Sequence, residues 1–575
     1  MFMGKRIHGD NMSFSSRESD IESGANDLQQ INSILEHQFV RCYYFVISIQ
    51  CEMWSWKKKT YENMMEGSAM KKILVIVLAV IVLTMSESCS TNAYSSKYQS
   101  SLPPKSTLYS AKHSTCMAPT AVAKATETHY ETAETVNDYT LSVSLDDQKH
   151  ILFVNQNLIY NNKTGTDLNE IYFNIIPQAF RDKGGGTAVK SVYADNKSCE
   201  FKKVNGTVYS LELPTPLSSG RKLAIKMDYE INIPNIENRF GYSKNVYNLG
   251  NFIITPAVYT KKGWSNETYV DIGDPFYTEI ANYKVTIDVP PGYTVAATGA
   301  DSGNGTYIAR NVRDFAFCAS DSFKTISEDF EGVKITVYYG DFIKTAKRML
   351  EAAKRSLALY SEDFGKYPYS TLSIVTNELT GGAGGMEYPT LVMIVPTVFL
   401  DQLDEATDKN AYIAYSNGID SSTCHEIAHQ WFYGIVGNDQ AAEPWLDEGF
   451  CRFAEYLYQE KYPIEGPDRH LMRDTLKYNY DIVAGKNRKT RKVDLNESLY
   501  GWMKDDPERY GAIYDKGASL LYAMQQQMGE GAFKTALREY VAKFAYGFVD
   551  TESFKRFWND RGDFSKLFKL YFAAK

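Results

Sequence analysis

The sequence has few of the features that mark nucleic-acid-binding, disulfide-rich or membrane-spanning chains. None of its eight cysteines forms a CxxC pair, which argues against a cysteine zinc knuckle or a dense disulfide framework. The formal net charge is -8, so no general basic face is expected and nucleic acid is not a predicted partner. The apolar run at residues 73–85 is shorter than the roughly 20 residues that span a bilayer.

What the chain does have is the composition of a folded protein and the length of several domains. Hydrophobic residues make up 44% of its 575 residues, aromatic residues 14% and charged residues 23%. These proportions are typical of globular proteins. The length predicts about three or four domain-sized units.

Residues 70–89 combine the features of an export signal. Two lysines after Met70 precede the apolar run, and small residues lead to Cys89. This order is typical of a secretory signal, and it resembles a bacterial lipoprotein signal, which implies a lipid anchor at Cys89 in the cell envelope. A short buried helix and a type II membrane anchor are the alternatives.

The segments on either side of this signal are predicted to lie outside the folded body. Residues 1–69 show no clear period and are interpreted as an N-terminal extension of uncertain status. Residues 90–136 are rich in Ser, Thr, Ala and Lys, which predicts a flexible linker between envelope and folded body.

The rest of the chain shows two sequence patterns, a strand-like pattern first and a mainly helical pattern after it. Alternating runs such as YTLSVSLD and YKVTIDVP predict an all-β domain, a sheet sandwich, over residues 137–328. Apolar residues three to four apart predict a helix over residues 345–365. Within residues 384–395, the sequence GGMEYP followed by LVMIV predicts a loop feeding an exposed strand.

The strongest chemical signal is HEIAH at residues 425–429. On a helix His425 and His429 project from one face, so both imidazoles can reach one metal ion. Glu426 lies beside the first histidine and can point at water on that metal. A catalytic zinc usually takes three protein ligands, so a third ligand is required.

The third ligand is expected downstream, in WLDEGF. The metzincin pattern needs a glycine and a third histidine soon after HEIAH, but aromatic residues stand there, which excludes that class. Glu448 follows His429 after eighteen intervening residues, enough to finish one helix, turn and begin a second. A carboxylate on that second helix completes the site, and Asp447 is the competing candidate.

HEIAH, the eighteen-residue gap and WLDEGF resemble the zinc site of the aminopeptidase N and leukotriene hydrolase family of gluzincin metallopeptidases. GGMEYP is similar to that family's exopeptidase motif GxMEN, and the resemblance extends over residues 137–575. It implies an N-terminal all-β, saddle-like domain followed by a thermolysin-like α+β catalytic domain at residues 329–575. The expected form is a short one, without the C-terminal helical domain of many relatives.

The resemblance also implies a role for individual residues. One zinc ion would be held by His425, His429 and Glu448, with Glu426 as general base. Tyr514, in IYDKG, would stabilise the tetrahedral intermediate. The substrate-binding residues would be those of the GGME sequence: Gly384, Gly385, Met386 and Glu387, the last gripping the free α-amino group.

Two positions depart from the family pattern. Tyr388 and Asp447 each stand where asparagine is usual. We expect the first to alter contacts near the substrate N-terminus and the second to add negative charge close to zinc.

The sequence thus predicts a zinc aminopeptidase acting on peptides with a free N-terminus. The alternatives are a lipid epoxide hydrolase, an endopeptidase of the same zinc class, and a non-catalytic peptide-binding relative. The last of these predicts loss of a catalytic residue, whereas Glu426, Glu387 and Tyr514 are all present.

Overall fold

The computed structural model describes residues 136–377, 379, 384–395, 399–464, 470–483, 494–501 and 510–572. The predicted extension, export signal and nearly all of the predicted linker lie outside these residues and stay predictions. Within the described ranges, every helix is too short or too polar to cross a membrane. All described residues belong to one compact unit, residues 121–575.

The first half of the described chain is built from strands. Their bounds are β1 Asn137–Asp146, β2 Ile151–Asn161, β3 Leu168–Asn174, β4 Gly186–Ala194, β5 Lys197–Ser198, β6 Phe201–Asn205, β7 Val208–Leu217, β8 Lys222–Asn232, β9 Phe240–Ser243, β10 Val246–Leu249, β11 Thr255–Pro256, β12 Tyr259–Thr260, β13 Gly263–Trp264, β14 Ala281–Asp288, β15 Thr294–Ala297, β16 Ala300–Asp301, β17 Thr306–Val312 and β18 Phe317–Ser320. A 3₁₀ helix, Ile176–Lys183, follows β3.

These strands form one large sheet and smaller sheets packed on one of its faces. The large sheet has the order β16-β17-β14-β1-β2-β8-β4-β5, and two four-stranded sheets have the orders β15-β18-β10-β9 and β11-β3-β7-β6. Side chains alternate between buried and exposed along β1 and β8, as a half-buried strand requires. Leu141, Ile171 and Phe317, one from each sheet, share a single core. The β-rich N-terminal domain is therefore confirmed.

The second half combines a five-stranded mixed sheet with helices. Its strands are β19 Lys324–Phe330, β20 Val333–Tyr339, β21 Thr371–Thr376, β22 Gly385–Met386 and β23 Leu391–Ile394. Its helices are α1 Ile343–Phe364, α2 Lys409–Ala428, α3 Trp445–Lys461, α4 Leu471–Val483, α5 Gly511–Met528, α6 Glu530–Phe544, α7 Thr551–Asn559 and α8 Ser565–Tyr571, with a 3₁₀ helix at Leu400–Gln402. This arrangement confirms the predicted α+β domain after the β-rich domain.

The helix predicted at 345–365 is α1. The apolar residues that predicted it are all buried: Met349, Leu350, Ala353, Leu357, Tyr360 and Phe364. The helix ends where Gly365 adopts a φ of 111°, a backbone conformation that favours glycine.

The structure differs from the prediction at the strand LVMIV. β23 is fully buried rather than exposed, because it lies between β21 and β22 in the sheet. The short β22 occupies the outer position, and Glu387 follows it directly. The predicted domain boundary after residue 328 falls inside β19, which pairs with β20 of the second sheet.

Candidate metal centre and substrate cleft

The two histidines of HEIAH lie at the end of α2. His425 is in its last turn, and His429 caps the helix with φ -61° and ψ -17°, so the helical rotation continues through both. Their Nε2 atoms lie 3.2 Å apart. The four-residue spacing therefore brings both imidazoles to one point, as expected of i and i+4 positions.

Glu448 reaches the same point from the first turn of α3. Its Oε2 lies 3.1 Å from Nε2 of His425 and 3.4 Å from Nε2 of His429. One ligand atom from each of the three residues falls within 4.8 Å of the others. Asp447, the competing candidate, accepts the backbone N–H of Glu448 instead.

The other nitrogen of each imidazole has a separate partner. Nδ1 of His425 lies 2.8 Å from Oε1 of Glu455, and Nδ1 of His429 lies 3.1 Å from the carbonyl oxygen of Phe432. Such outer contacts fix the ring orientation and leave Nε2 for a metal ion. Burial favours a neutral Glu455, but Arg452 and His425 outweigh it and lower its pKa to about 2.

The charge balance of this cluster fits a cation. Burial disfavours a charged His425, yet hydrogen bonds with Glu448 and Glu455 raise its pKa to about 10. The surrounding carboxylates thus draw positive charge to the position between the two imidazoles. Two nitrogens and one carboxylate oxygen are a usual donor set for catalytic zinc.

Glu426 lies beside the three ligand atoms without joining them. A carboxylate oxygen of Glu426, a carboxylate oxygen of Glu387 and a ring nitrogen of His429 all lie within 4.8 Å of one another. Burial raises the pKa of Glu426 to about 7, although the histidines oppose the shift. A pKa close to neutrality suits a general base. A Cβ at Gly385 would come within 2.3 Å of this carboxylate, so the backbone of β22 approaches it closely.

Glu387 is the buried carboxylate at the far side of the cluster, only 3% exposed. Burial and the nearby Asp274 raise its pKa well above its usual range. Gly384 and Gly385 line the same cleft. The side chain of Met386, in contrast, packs in a small core with Tyr388 and is 1% exposed, so it does not face the cleft.

Tyr514 comes to the centre from α5. Its hydroxyl donates a hydrogen bond of 2.5 Å to Oε1 of Glu448. Burial and the Glu448 carboxylate raise its pKa well above its usual value, so it keeps its proton. The approach of the two helices depends on Gly449 and Gly517, since a Cβ on Gly517 would lie 2.8 Å from the Cα of Gly449.

The cluster opens into a cleft of about 1140 Å³. Both halves of the chain line it. The β-rich domain contributes an ion pair between Arg239 and Asp274 and another between Lys183 and Asp271. Ser421, Arg452 and Asp515 line it from the helical domain.

The two departures from the family pattern have defined places. Tyr388 turns away from the cleft and donates a hydrogen bond to Oδ1 of Asn251 at 2.7 Å. Tyr388 is not among the described residues that line the cleft. Asp447 is buried next to Glu448, and burial together with the Glu448 charge raises its pKa to about 7.

Three residues of the site were not predicted from the sequence. Glu455 stands two helical turns after Glu448, and Tyr510 precedes Tyr514 by one turn, so helical spacing could have indicated both. Tyr510 lies 3.3 Å from the Tyr514 hydroxyl and from Glu448. Gln440 contacts Glu387 from a loop, and no local pattern marks it.

Comparison with known proteins supports this description. Residues 348–569 match the Peptidase family M1 domain. Aminopeptidase M1-A of Oryza sativa subsp. japonica is 30% identical over 228 residues, 39% of this chain. Endoplasmic reticulum aminopeptidase 1 of Homo sapiens is 28% identical over 244 residues, 40% of this chain. The resemblance to the aminopeptidase N family is confirmed over this part of the chain.

The extent of these matches differs. The aligned segments are 24% of each curated relative, so the chain matches about a quarter of their length. The crystal structure of an M1 zinc metallopeptidase from Deinococcus radiodurans has a TM-score of 0.53 at 15% identity, covering 78% of this chain and 97% of that one. That likeness concerns the fold, which has the same two-part architecture.

Proposed function

We propose that this chain, whose residues 348–569 match the Peptidase family M1 domain, is a zinc-dependent aminopeptidase that removes N-terminal residues from peptides. The observation that carries the proposal is one cleft in which His425, His429 and Glu448 converge. A base, a hydroxyl donor and an anion for an amino group surround that point. Each of these groups has a step to perform in hydrolysis.

The reaction begins with water near Glu426. Zinc held by His425, His429 and Glu448 would supply Lewis-acid chemistry, lowering the pKa of water toward neutrality. The Glu426 carboxylate accepts a proton as water attacks the scissile carbonyl carbon, and it then delivers that proton to the departing amine. Tyr514 donates a hydrogen bond to the carbonyl oxygen as negative charge develops there.

Glu387 sets the position of the substrate. A buried carboxylate binds the α-ammonium group of the first residue by a charge-assisted hydrogen bond. Since this anion is fixed relative to Glu426, only the bond after the first residue reaches the base. An acetyl cap removes the positive charge and leaves the carboxylate without its partner.

The test is hydrolysis of a panel of aminoacyl chromogenic amides by the full-length protein, each amide with and without an N-acetyl cap. Activity is measured before chelation, after chelation and after zinc is restored. We expect cleavage of uncapped amides only, lost on chelation and recovered with zinc. Glu426→Gln, with its zinc content measured, is the matched inactive variant.

Other outcomes would favour the alternatives. Equal cleavage of capped and uncapped amides would remove Glu387 from its role and indicate an endopeptidase. No cleavage by protein that contains zinc would contradict the proposal and favour a non-catalytic binding protein or an epoxide hydrolase. Direct assays for epoxide opening and peptide binding separate these two.

We also propose that the chain is exported and held at the membrane by a lipid on Cys89. The support is sequence alone: the basic residues after Met70, the apolar run 73–85 and the cysteine that follows. Growth with a labelled fatty acid, followed by fractionation, tests this. Label on the protein that disappears in Cys89→Ser is the expected result, and an unlabelled protein in the cytoplasmic fraction would contradict it.

A further inference from the structure

The carboxylate of Glu387 accepts a hydrogen bond from a buried amide. Nε2 of Gln440 donates a hydrogen bond of 3.2 Å to Oε1 of Glu387. Gln440 lies in the loop between α2 and α3 and is 1% exposed.

The same amide nitrogen has a second acceptor. Nε2 of Gln440 donates to Oδ2 of Asp447 at 2.7 Å, and Oδ1 of Asp447 accepts the backbone N–H of Glu448 at 2.9 Å. Gln440 therefore joins Glu387 to the first turn of α3. That turn also carries Glu448, one of the three convergent ligand residues.

The chemistry of the partners sets the direction of the Gln440 amide. A carboxyl oxygen that carries no proton accepts hydrogen bonds, whereas an amide NH₂ offers two donors. Oε1 of Gln440 finds no hydrogen-bond partner among the described residues. If the amide were flipped, that oxygen would face the carboxyl oxygens of Glu387 and Asp447, which are also acceptors. The observed orientation is therefore favoured, although it leaves the Gln440 oxygen without a partner among the described residues.

The Gln440 amide is buried and donates to Glu387, so it holds the carboxylate in place before an ammonium group arrives.

The backbone next to Glu387 is held independently. Nε2 of Gln430 donates to the carbonyl oxygen of Tyr388 at 3.2 Å, and Oε1 of Gln430 accepts the N–H of Thr390 at 2.7 Å. Loss of the Gln440 amide should therefore free the Glu387 side chain without moving the main chain that carries it.

We propose that Gln440 is a positioning residue that aims the Glu387 carboxylate at the substrate amino group, with Asp447 as the acceptor that anchors it. This inference deepens the proposed function and rests on it. Asp447 suits the role because its two oxygens accept from Gln440 and from the Glu448 N–H at once. Asparagine would replace one of these oxygens with an NH₂ group, which cannot accept, so one of the two donors would face another donor.

The first variant is Gln440→Met, which keeps the chain length and removes both donors. Uncapped amides are assayed with the full-length zinc enzyme. We expect KM to rise about tenfold or more while kcat stays within about threefold, since the anchor binds ground state and transition state alike. Zinc content should be unchanged.

Gln156→Met is the matched control. Gln156 is another buried glutamine, which bonds Ile254 and Tyr229 in the β-rich domain. The Gln156→Met variant should be less stable than the unaltered protein but should have the same KM. A second readout is competition by an α-amino amide and by its analogue that lacks the amino group. Gln440→Met should weaken inhibition by the first and leave the second unchanged.

Asp447→Asn keeps the test decisive if Gln440→Met folds poorly. We expect this variant to raise KM as well. The KM of the double variant should be no higher than that of the more impaired single variant, because both substitutions break the same chain of hydrogen bonds from Asp447 through Gln440 to Glu387. An unchanged KM in Gln440→Met, or additive effects in the double variant, would overturn the inference. Failure of the proposed function differs, since the unaltered enzyme would then not prefer uncapped amides.

Discussion

Adding one methyl group between α3 and α5 tests whether activity depends on the close approach of these two helices. Gly449 and Gly517 face each other where these helices cross, and a Cβ on Gly517 would lie 2.8 Å from the Cα of Gly449. Ordinary contact begins at 3.4 Å, so Gly517→Ala must separate the helices locally by about 0.6 Å. The hydrogen bond from Tyr514 to Glu448, 2.5 Å long, spans the same pair of helices.

The expected cost falls more on catalysis than on stability. Overpacking destabilises by about 1–3 kcal/mol, and the better helix propensity of alanine returns about 1 kcal/mol. The net loss is therefore about 0–2 kcal/mol. A displacement of this size near the reacting groups costs about ten- to a hundredfold in kcat.

Kinetics of uncapped amides and a thermal melt measure the two effects. Gly531→Ala is the matched control, because a Cβ there meets nothing within 4 Å in α6, and it should leave kcat unchanged. If the methyl acts by displacing Tyr514, removing that hydroxyl as well should cost little more. Full activity in Gly517→Ala, or an undiminished effect of Tyr514→Phe in that background, would refute the reasoning.

Three further predictions concern single side chains. Tyr514→Phe removes the hydroxyl that faces Glu448 and should lower kcat about a hundredfold with little change in KM; an equal loss in KM would assign the tyrosine to binding. Glu455→Gln weakens the support of His425 and should lower zinc affinity about ten- to a hundredfold, measured by chelator competition; unchanged affinity would contradict that role. Burial raises the pKa of Asp314 from 3.8 to about 7, so its stabilising contribution is complete below about pH 4 and is lost as pH rises through 7. The stability of Asp314→Asn relative to the unaltered protein should therefore rise as the pH increases from about 4 to about 7, by up to about 1.4 kcal/mol per pH unit. Urea unfolding across this range measures the difference in free energy of unfolding, and a difference that does not change with pH would contradict the raised pKa of Asp314.

The parts of the site that the sequence predicted are those set by local helical geometry. His425 and His429 are one turn apart, so their convergence follows from the pitch of α2. Glu448 required only that a second helix begin within the intervening residues, and α3 begins at Trp445. Alternation likewise predicted the β-rich domain, since β1 buries every second side chain.

The parts that escaped prediction depend on contacts between distant segments. LVMIV has the composition of a buried or an edge strand alike, and only the pairing of β22 outside it decides that β23 is buried. β19 is mostly exposed, with only Ile326 and Phe330 as apolar side chains, so its sequence pattern could not assign it to the second sheet. The direction of Tyr388 depends on Asn251, 137 residues earlier in the chain.

The two departures from the family pattern, Tyr388 and Asp447, also depend on contacts that the sequence alone could not predict. Read along the chain, Tyr388 and Asp447 flank functional residues and suggest altered substrate or metal contacts. In the fold the Tyr388 hydroxyl donates to Asn251 of the β-rich domain, and Tyr388 is not among the described residues that line the cleft. The role of Asp447 depends on Gln440. One oxygen of Asp447 accepts from the Gln440 amide and the other accepts the Glu448 N–H. Asparagine at this position could keep only one of these two arrangements, because its NH₂ group cannot accept a hydrogen bond. A residue that looks like an added charge near the metal ligands is thus one half of a hydrogen-bonded pair.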